Sequence, residues 1–266
     1  MIESGLELLS EEPYIYPGHG THGDIGVVVC HGFTGAPYSM LPWARALARA
    51  GYAVSVPRLE GHGTQWQDLK TTRWQDWYAS AERAYADLAE RCTQVFVFGM
   101  SMGGTLSLRL ASQYPVAGLA LVNPGLVIPP RAAEYAHLLK FIVASTPAIG
   151  GNIKKPGVDE NAYPRTAVAA VDQLRRLMAN TRERLHQIDA PLLLLRSRVD
   201  TVIDDISVET LLTGISRQQR AQTRIVWLED SYHVATLDND APLIESESLR
   251  FLAAHTLRED SREHAK

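Results

Sequence analysis

Lysine and arginine form no block anywhere in the chain: 26 basic residues face 30 acidic ones over 266 positions, for a net charge of -4. Without a basic stripe the attraction to a phosphate backbone is missing, and nucleic acid is not an expected partner. Cysteine is equally scarce. Cys30 and Cys92 are its two representatives, too few for a disulfide framework, and both are expected to be reduced and buried. No apolar run reaches the roughly eighteen residues that span a bilayer. The start, Met1-Ile2-Glu3-Ser4-Gly5, also lacks the basic and then apolar pattern of an export signal. These absences point to a cytoplasmic protein. What the chain does have is an ordinary globular composition, 45% apolar and 21% charged. Its length lies near the ceiling for one hydrophobic core, so a single domain over 1–266 carrying an insertion is expected.

Ile25 to Cys30 is a continuous apolar, β-branched run, the pattern of a strand buried on both faces of a parallel sheet. Met40, Trp43, Ala44 and Leu47 then recur at helical spacing. Gly51 closes that pattern before a second strand near Tyr52 to Val56. Thr72 and Gln75 read as a capping box for a helix that carries Trp74, Trp77, Tyr78, Ala81, Tyr85 and Leu88 on one face. Strands are expected at Gln94–Phe98, Gly118–Val122, Leu192–Arg196 and Arg224–Leu228. Helices are expected at Gly103–Tyr114, Val168–Asn180, around Val208 and from Pro242. The fold class is therefore α/β, a mostly parallel central sheet flanked by helices. From Asn123 to Pro164 the rhythm breaks at Pro124, Pro129, Pro130 and Gly150-Gly151, and Tyr135 to Ile149 is largely apolar. That stretch, approximately 124–165, reads as a cap inserted over the sheet.

Gly99-Met100-Ser101-Met102-Gly103 is a G-x-S-x-G pentapeptide between an expected strand and an expected helix. In that setting it reads as a strained turn presenting a nucleophilic hydroxyl. Serine needs a positioned base, and the base an orienting carboxylate, in the chain order Ser, acid, His. Of nine histidines, His233 follows the last expected strand and is the candidate base. His31 ends the first core strand and is expected to hold the neighbouring loop in shape. Asp200 stands just beyond the penultimate strand, at the carboxyl edge where open α/β sheets place functional loops. Its competitors, Asp204 and Asp205, fall where an aspartate ordinarily favours a helix start. Asp238 reads as a solvated loop residue. The oxyanion of a tetrahedral intermediate needs two fixed N–H donors. The residue after the nucleophile, Met102, and Phe33 in the loop after the first core strand are the candidates. No metal or other cofactor is required by this chemistry.

Taken together, His31-Gly32-Phe33-Thr34-Gly35, Pro57-Arg58-Leu59 with Gly61-His62-Gly63-Thr64, Gly99 to Gly104, and Ser231-Tyr232-His233-Val234-Ala235-Thr236-Leu237-Asp238 resemble the bacterial monoacylglycerol lipases and related carboxylesterases of the α/β-hydrolase fold. The resemblance runs nearly the full length. It implies Ser101, Asp200 and His233 as a catalytic triad and the Phe33 and Met102 amides as an oxyanion hole. It also covers Pro156 to Tyr163, where the similar lipases keep an acidic residue near the glycerol hydroxyls. Here that residue is Glu160, while Ile149 is expected at the acyl entrance. The cap between Val127 and Gly151 departs most from the family pattern. The implied partner is a small lipid ester, with transient contact between the cap and a membrane surface. A general carboxylesterase, a thioesterase, a lysophospholipase or a C–C bond hydrolase would use the same triad. A non-enzymatic binding protein on the same fold is the reading from a different class. Oligomeric state has no signature in the sequence.

Overall fold

The computed structural model describes residues 11–128, 144–148 and 151–256. In chain order the elements are β1 (Tyr14–Tyr16), β2 (Ile25–Cys30), α1 (Leu41–Arg49), β3 (Ala53–Val56), α2 (Trp66–Leu69), α3 (Trp74–Ala89), β4 (Gln94–Met100), α4 (Met102–Ala111) and β5 (Gly118–Val122). They continue as β6 (Ser145–Pro147), β7 (Arg165–Ala167), α5 (Val168–Arg182), β8 (Leu192–Ser197), α6 (Ile206–Gly214), α7 (Arg217–Gln222), β9 (Arg224–Leu228) and α8 (Ala241–His255).

The apolar run of β2 is buried at every position, as a strand covered on both faces should be. Its alternate side chains feed two cores: Val28 and Cys30 one, Ile25, Val27 and Val29 the other. Seven strands form the sheet in the order β1-β3-β2-β4-β5-β8-β9. All neighbours are parallel except β1, which runs antiparallel along the outer side of β3. Helices α3, α4 and α5 cover the first core through Trp77, Leu106 and Leu177. Helices α1 and α8 cover the second, where Trp43 stacks on Phe98 at 5.2 Å and donates Nε1–H to Ser248 Oγ at 3.0 Å. With all connections between parallel strands crossing over, the loops after β2, β4, β5, β8 and β9 gather at one carboxyl edge, the functional edge of such sheets.

Several local expectations are corrected. The box expected from Thr72 and Gln75 is displaced by one residue: the Asp76 carboxylate accepts the Arg73 N–H at 2.7 Å. Thr72 Oγ1 instead accepts the Nε1–H of buried Trp77 at 2.8 Å, since a buried indole requires a partner. Cys30 is buried as expected, but Cys92 is only half-buried at the end of α3. Short elements with little periodicity, β1, α2 and α7, were not legible in the sequence. Of the stretch read as a cap, residues 129–143 and 149–150, and hence Ile149, lie outside the described residues. Its described parts are residues 124–128, strand β6, which pairs antiparallel with β7 with Ser145 opposite Ala167, and the arm that leads from Gly151 back to the sheet.

Candidate active site

Ser101 sits between the last residue of β4 and the first of α4 with φ 55° and ψ -119°, a conformation that a non-glycine residue keeps only when its surroundings over-determine it. Three main-chain hydrogen bonds do so. Its N–H donates to Val122 O at 3.0 Å, and its carbonyl accepts from the Thr105 and Gly125 N–H groups at 3.2 Å each. The flanking glycines have a steric cause. A Cβ on Gly103 would lie 2.0 Å from Cys30 O, and one on Gly99 would lie 2.3 Å from Gly103 O. The turn is thus pressed against the ends of β2 and α4 with no room for a side chain on either side.

The loop after β2 lies against this turn: a Cβ on Gly32 would stand 3.5 Å from Ser101 Cβ. His31 holds the loop, as anticipated. Fully buried, it pairs Nδ1 with Gly32 O at 2.9 Å and accepts the Leu59 N–H on Nε2 at 3.2 Å. Burial pulls the imidazole down to about 4, against its bond to Gly32, so it is neutral near pH 7 with the proton on Nδ1. Thr34 turns the chain with φ 62°, donates Oγ1–H to Phe33 O at 2.6 Å, and accepts the Tyr163 N–H at 3.1 Å. The Phe33 ring packs against His62 and Trp77, and His62 in turn lies edge-on to His31. Burial, then the neighbouring His31, pull His62 well below the ordinary histidine range. The Phe33 and Met102 main-chain N–H groups have no acceptor among the described residues.

His233 follows β9 and is buried. Its Nδ1 pairs with Asp200 Oδ2 at 2.9 Å. An ionised carboxylate can only accept, so the proton is on Nδ1 and Nε2 carries the free lone pair. Asp200 Oδ1 accepts the Val202 and Ile203 N–H groups at 2.9 Å each. Burial pushes the Asp200 carboxyl up, but the hydrogen bond and charge of His233 and those two amides outweigh it, and its net direction is down. The structure therefore joins Asp200 to His233. Ser101 Oγ has no hydrogen-bond partner among the described residues; the serine and histidine are related through β5, whose last residue accepts the Ser101 N–H.

The next residue, Asn123, holds the other side. Fully buried with φ 46°, it donates Nδ2–H to His233 O and to Ser197 Oγ, both at 2.9 Å, and accepts the Ser197 N–H at 2.9 Å. Asn152, on the arm returning from the insertion, accepts the His233 N–H at 2.9 Å and donates Nδ2–H to Thr201 at 2.8 Å. Sequence reasoning missed both residues. Asn123 carried one signal, a polar side chain directly after a core strand.

Two aspartates depart from expectation. Asp238 is buried, not solvated. Its Oδ2 accepts the Lys154 and Tyr232 N–H groups at 2.7 and 2.9 Å, and its Oδ1 accepts those of Lys155 and Asn239 at 2.8 Å each. Asp205 stands at the start of α6, but its side chain makes no capping bond. It accepts from Arg196 instead, at 3.0 and 3.2 Å, because a buried guanidinium demands acceptors. Glu160 is buried and accepts the Gly151 N–H at 2.8 Å. Burial pushes its carboxyl up, against that bond and the charge of His233. Among the described residues, no three His, Cys, Asp or Glu side chains gather as a metal site, and no helix is long and apolar enough to cross a membrane.

A parallel sheet with a strained serine between strand and helix, and a carboxylate–imidazole pair on the loops after its later strands, defines the α/β-hydrolase class. Comparison with known proteins makes the assignment specific. The family model described as serine aminopeptidase, S33, matches residues 22–240, and the chain belongs to that family. A thermostable monoacylglycerol lipase of Bacillus sp. (strain H-257) is 43% identical over 243 residues, covering 90% of this chain and 94% of that protein. A carboxylesterase of Bacillus subtilis (strain 168) is 25% identical over 248 residues, 93% of this chain and 98% of that one. Among solved structures, one from LipS and LipT, two metagenome-derived lipolytic enzymes, superposes with a TM-score of 0.86 at 39% identity, covering 92% of this chain and 98% of that one. The monoacylglycerol lipase of Paleococcus ferrophilus shares the fold, with a TM-score of 0.75 at 18% identity and coverage of 92% and 98%.

Proposed function

We propose that this hydrolase cleaves monoacylglycerols to glycerol and a fatty acid through an acyl-enzyme on Ser101. The observation that carries the reading is the Asp200–His233 pair on the loops beside a serine held at φ 55°. The 43% identity to a monoacylglycerol lipase supports the substrate.

On this reading His233 Nε2 takes the Ser101 hydroxyl proton as Oγ attacks the ester carbonyl, and Asp200 keeps the proton on Nδ1 and stabilises the imidazolium. The carbonyl oxygen becomes an oxyanion and receives the free Phe33 and Met102 N–H groups, each worth about 3 kcal/mol in the transition state. Collapse of the intermediate releases glycerol, protonated by His233. Water, deprotonated by the same nitrogen, then frees the fatty acid. The insertion at approximately 124–165 acts as the cap. Glu160 on its returning arm accepts hydrogen bonds from the glycerol hydroxyls, for which a buried carboxylate with one oxygen committed to Gly151 is suited. Contact of the cap with membrane surfaces is transient. The free thiols of Cys30 and Cys92 accord with a cytoplasmic site of action.

Turnover of 1-monoacylglycerols, di- and triacylglycerols and p-nitrophenyl esters, with Ser101→Ala in parallel, tests the proposal. Preferential cleavage of monoacylglycerols, lost in the Ser101→Ala protein and reduced toward that of simple alkyl esters in Glu160→Gln, is the expected result. Cleavage of short p-nitrophenyl esters alone would retain the serine mechanism and remove the lipase assignment.

A further inference from the structure

Arg196 is the penultimate residue of β8, and its side chain is 3% exposed. The strand otherwise consists of leucines up to that point, and an aliphatic side chain would satisfy the same buried position. A guanidinium there carries a heavy desolvation penalty unless its donors are met. They are met by the acid loop and its neighbour. Nε and Nη2 donate to Asp205 Oδ1 at 3.2 and 3.0 Å, Nη2 also donates to Ile203 O at 2.7 Å, and Nη1 donates to Asn123 Oδ1 at 3.4 Å. The shortest bond runs from Nη1 to Asp200 Oδ2 at 2.6 Å. That oxygen is the one that pairs with His233 Nδ1.

The two carboxylate oxygens are therefore treated differently. Oδ1 is fixed by the Val202 and Ile203 amides. Oδ2 is shared between an immobile cation behind it and the imidazole in front. A carboxylate held on one oxygen alone can swing the other; one clamped on both presents Oδ2 to His233 before any substrate arrives, which is what preorganisation requires. Because Asp205 is largely exposed, with a side chain 76% accessible, water can serve it without Arg196. Asp200, with no exposed side-chain surface, has no such alternative.

We infer that Arg196 is a positioning residue for ester hydrolysis, clamping Asp200 Oδ2 toward His233 while its other donors tie the acid loop to Asn123. The inference rests on the triad proposed above, so the test first establishes that triad. With p-nitrophenyl butyrate as the probe, Ser101→Ala and Asp200→Asn must each lower kcat; if they do not, the triad reading fails by itself. Given that loss, Arg196→Met is expected to lower kcat about 100-fold with KM within about twofold, the scale of a misplaced catalytic group. Arg196→Lys, which keeps the charge and one donor toward Asp200, is expected to recover about tenfold of that loss, leaving kcat about tenfold below wild type. In an Asp200→Asn background the Arg196→Met change should alter kcat less than about threefold, because a residue acting through Asp200 has nothing left to position. Wild-type kcat in either folded single variant would overturn the inference. So would an equal loss in the Asp200→Asn background, which would assign Arg196 to the fold alone. If Arg196→Met fails to fold, the Arg196→Lys protein decides by the same comparison.

Discussion

Asp238 provides a demanding quantitative test, because replacing it by asparagine changes no volume and leaves no cavity. Four main-chain N–H groups converge on its two oxygens, two on each. Whichever way an asparagine amide is turned, its NH2 faces two N–H donors and its oxygen serves the other two. Two charge-assisted bonds are lost outright, and each such bond contributes about 1.5–3 kcal/mol. The gross loss is therefore about 3–6 kcal/mol. The Lys154–Lys155 arm can open and let water reach its amides, so the lower end, about 3 kcal/mol, is the expected net loss. Urea unfolding of Asp238→Asn against the parent protein measures it, with the m-value checked for constancy. Hydrogen exchange at Lys154 and Lys155 should accelerate by more than the global loss if the arm opens by itself. The same arm carries Asn152, which holds the His233 N–H, so kcat should fall as well. A stability loss below about 1 kcal/mol at unchanged m would refute the reasoning, since two opposed buried donor pairs cannot be so cheap.

Buried His31 makes stability depend on pH in a defined window. Its folded value is about 4 against 6.5 when free. Between those values the unfolded chain binds a proton that the folded protein refuses, so stability falls as pH drops from about 6.5 to about 4, by up to about 3 kcal/mol. His31→Gln, which can donate to Gly32 O and accept from Leu59 N, should flatten that slope in unfolding measured from pH 7 to 4; an unchanged slope would assign it elsewhere. Gly103→Ala places a methyl 2.0 Å from Cys30 O and should yield a protein that either fails to fold or loses fluorophosphonate labelling of Ser101. Wild-type labelling and near-UV circular dichroism would contradict the steric account of the elbow.

The α/β class, the central strand and the positions of the longer helices were legible because each rests on local pattern: an unbroken apolar run, a helical period, a glycine at a helix end. The placement of Ser101, Asp200 and His233 on neighbouring loops followed in the same way, each standing just beyond a strand whose carboxyl end could be read. The short elements β1, α2 and α7 were not legible, having too few residues for a period to emerge.

Partnerships across long sequence separations are another matter. His233 takes its neighbours from Asn123, Asn152 and Asp200, and no spacing rule links those positions. Asp200 and Asp238 have the same side chain, and each lies in the segment that follows a strand, Asp200 after β8 and Asp238 after β9. One meets an imidazole and a guanidinium, the other four peptide N–H groups. The sequence by itself determined which side chains stand at the carboxyl edge of the sheet, because strand ends and the loops that follow them can be read from local periodicity. Only the tertiary structure decided which donors each buried carboxylate meets, because a hydrogen bond depends on ångström-scale approach between segments that the chain brings together after folding.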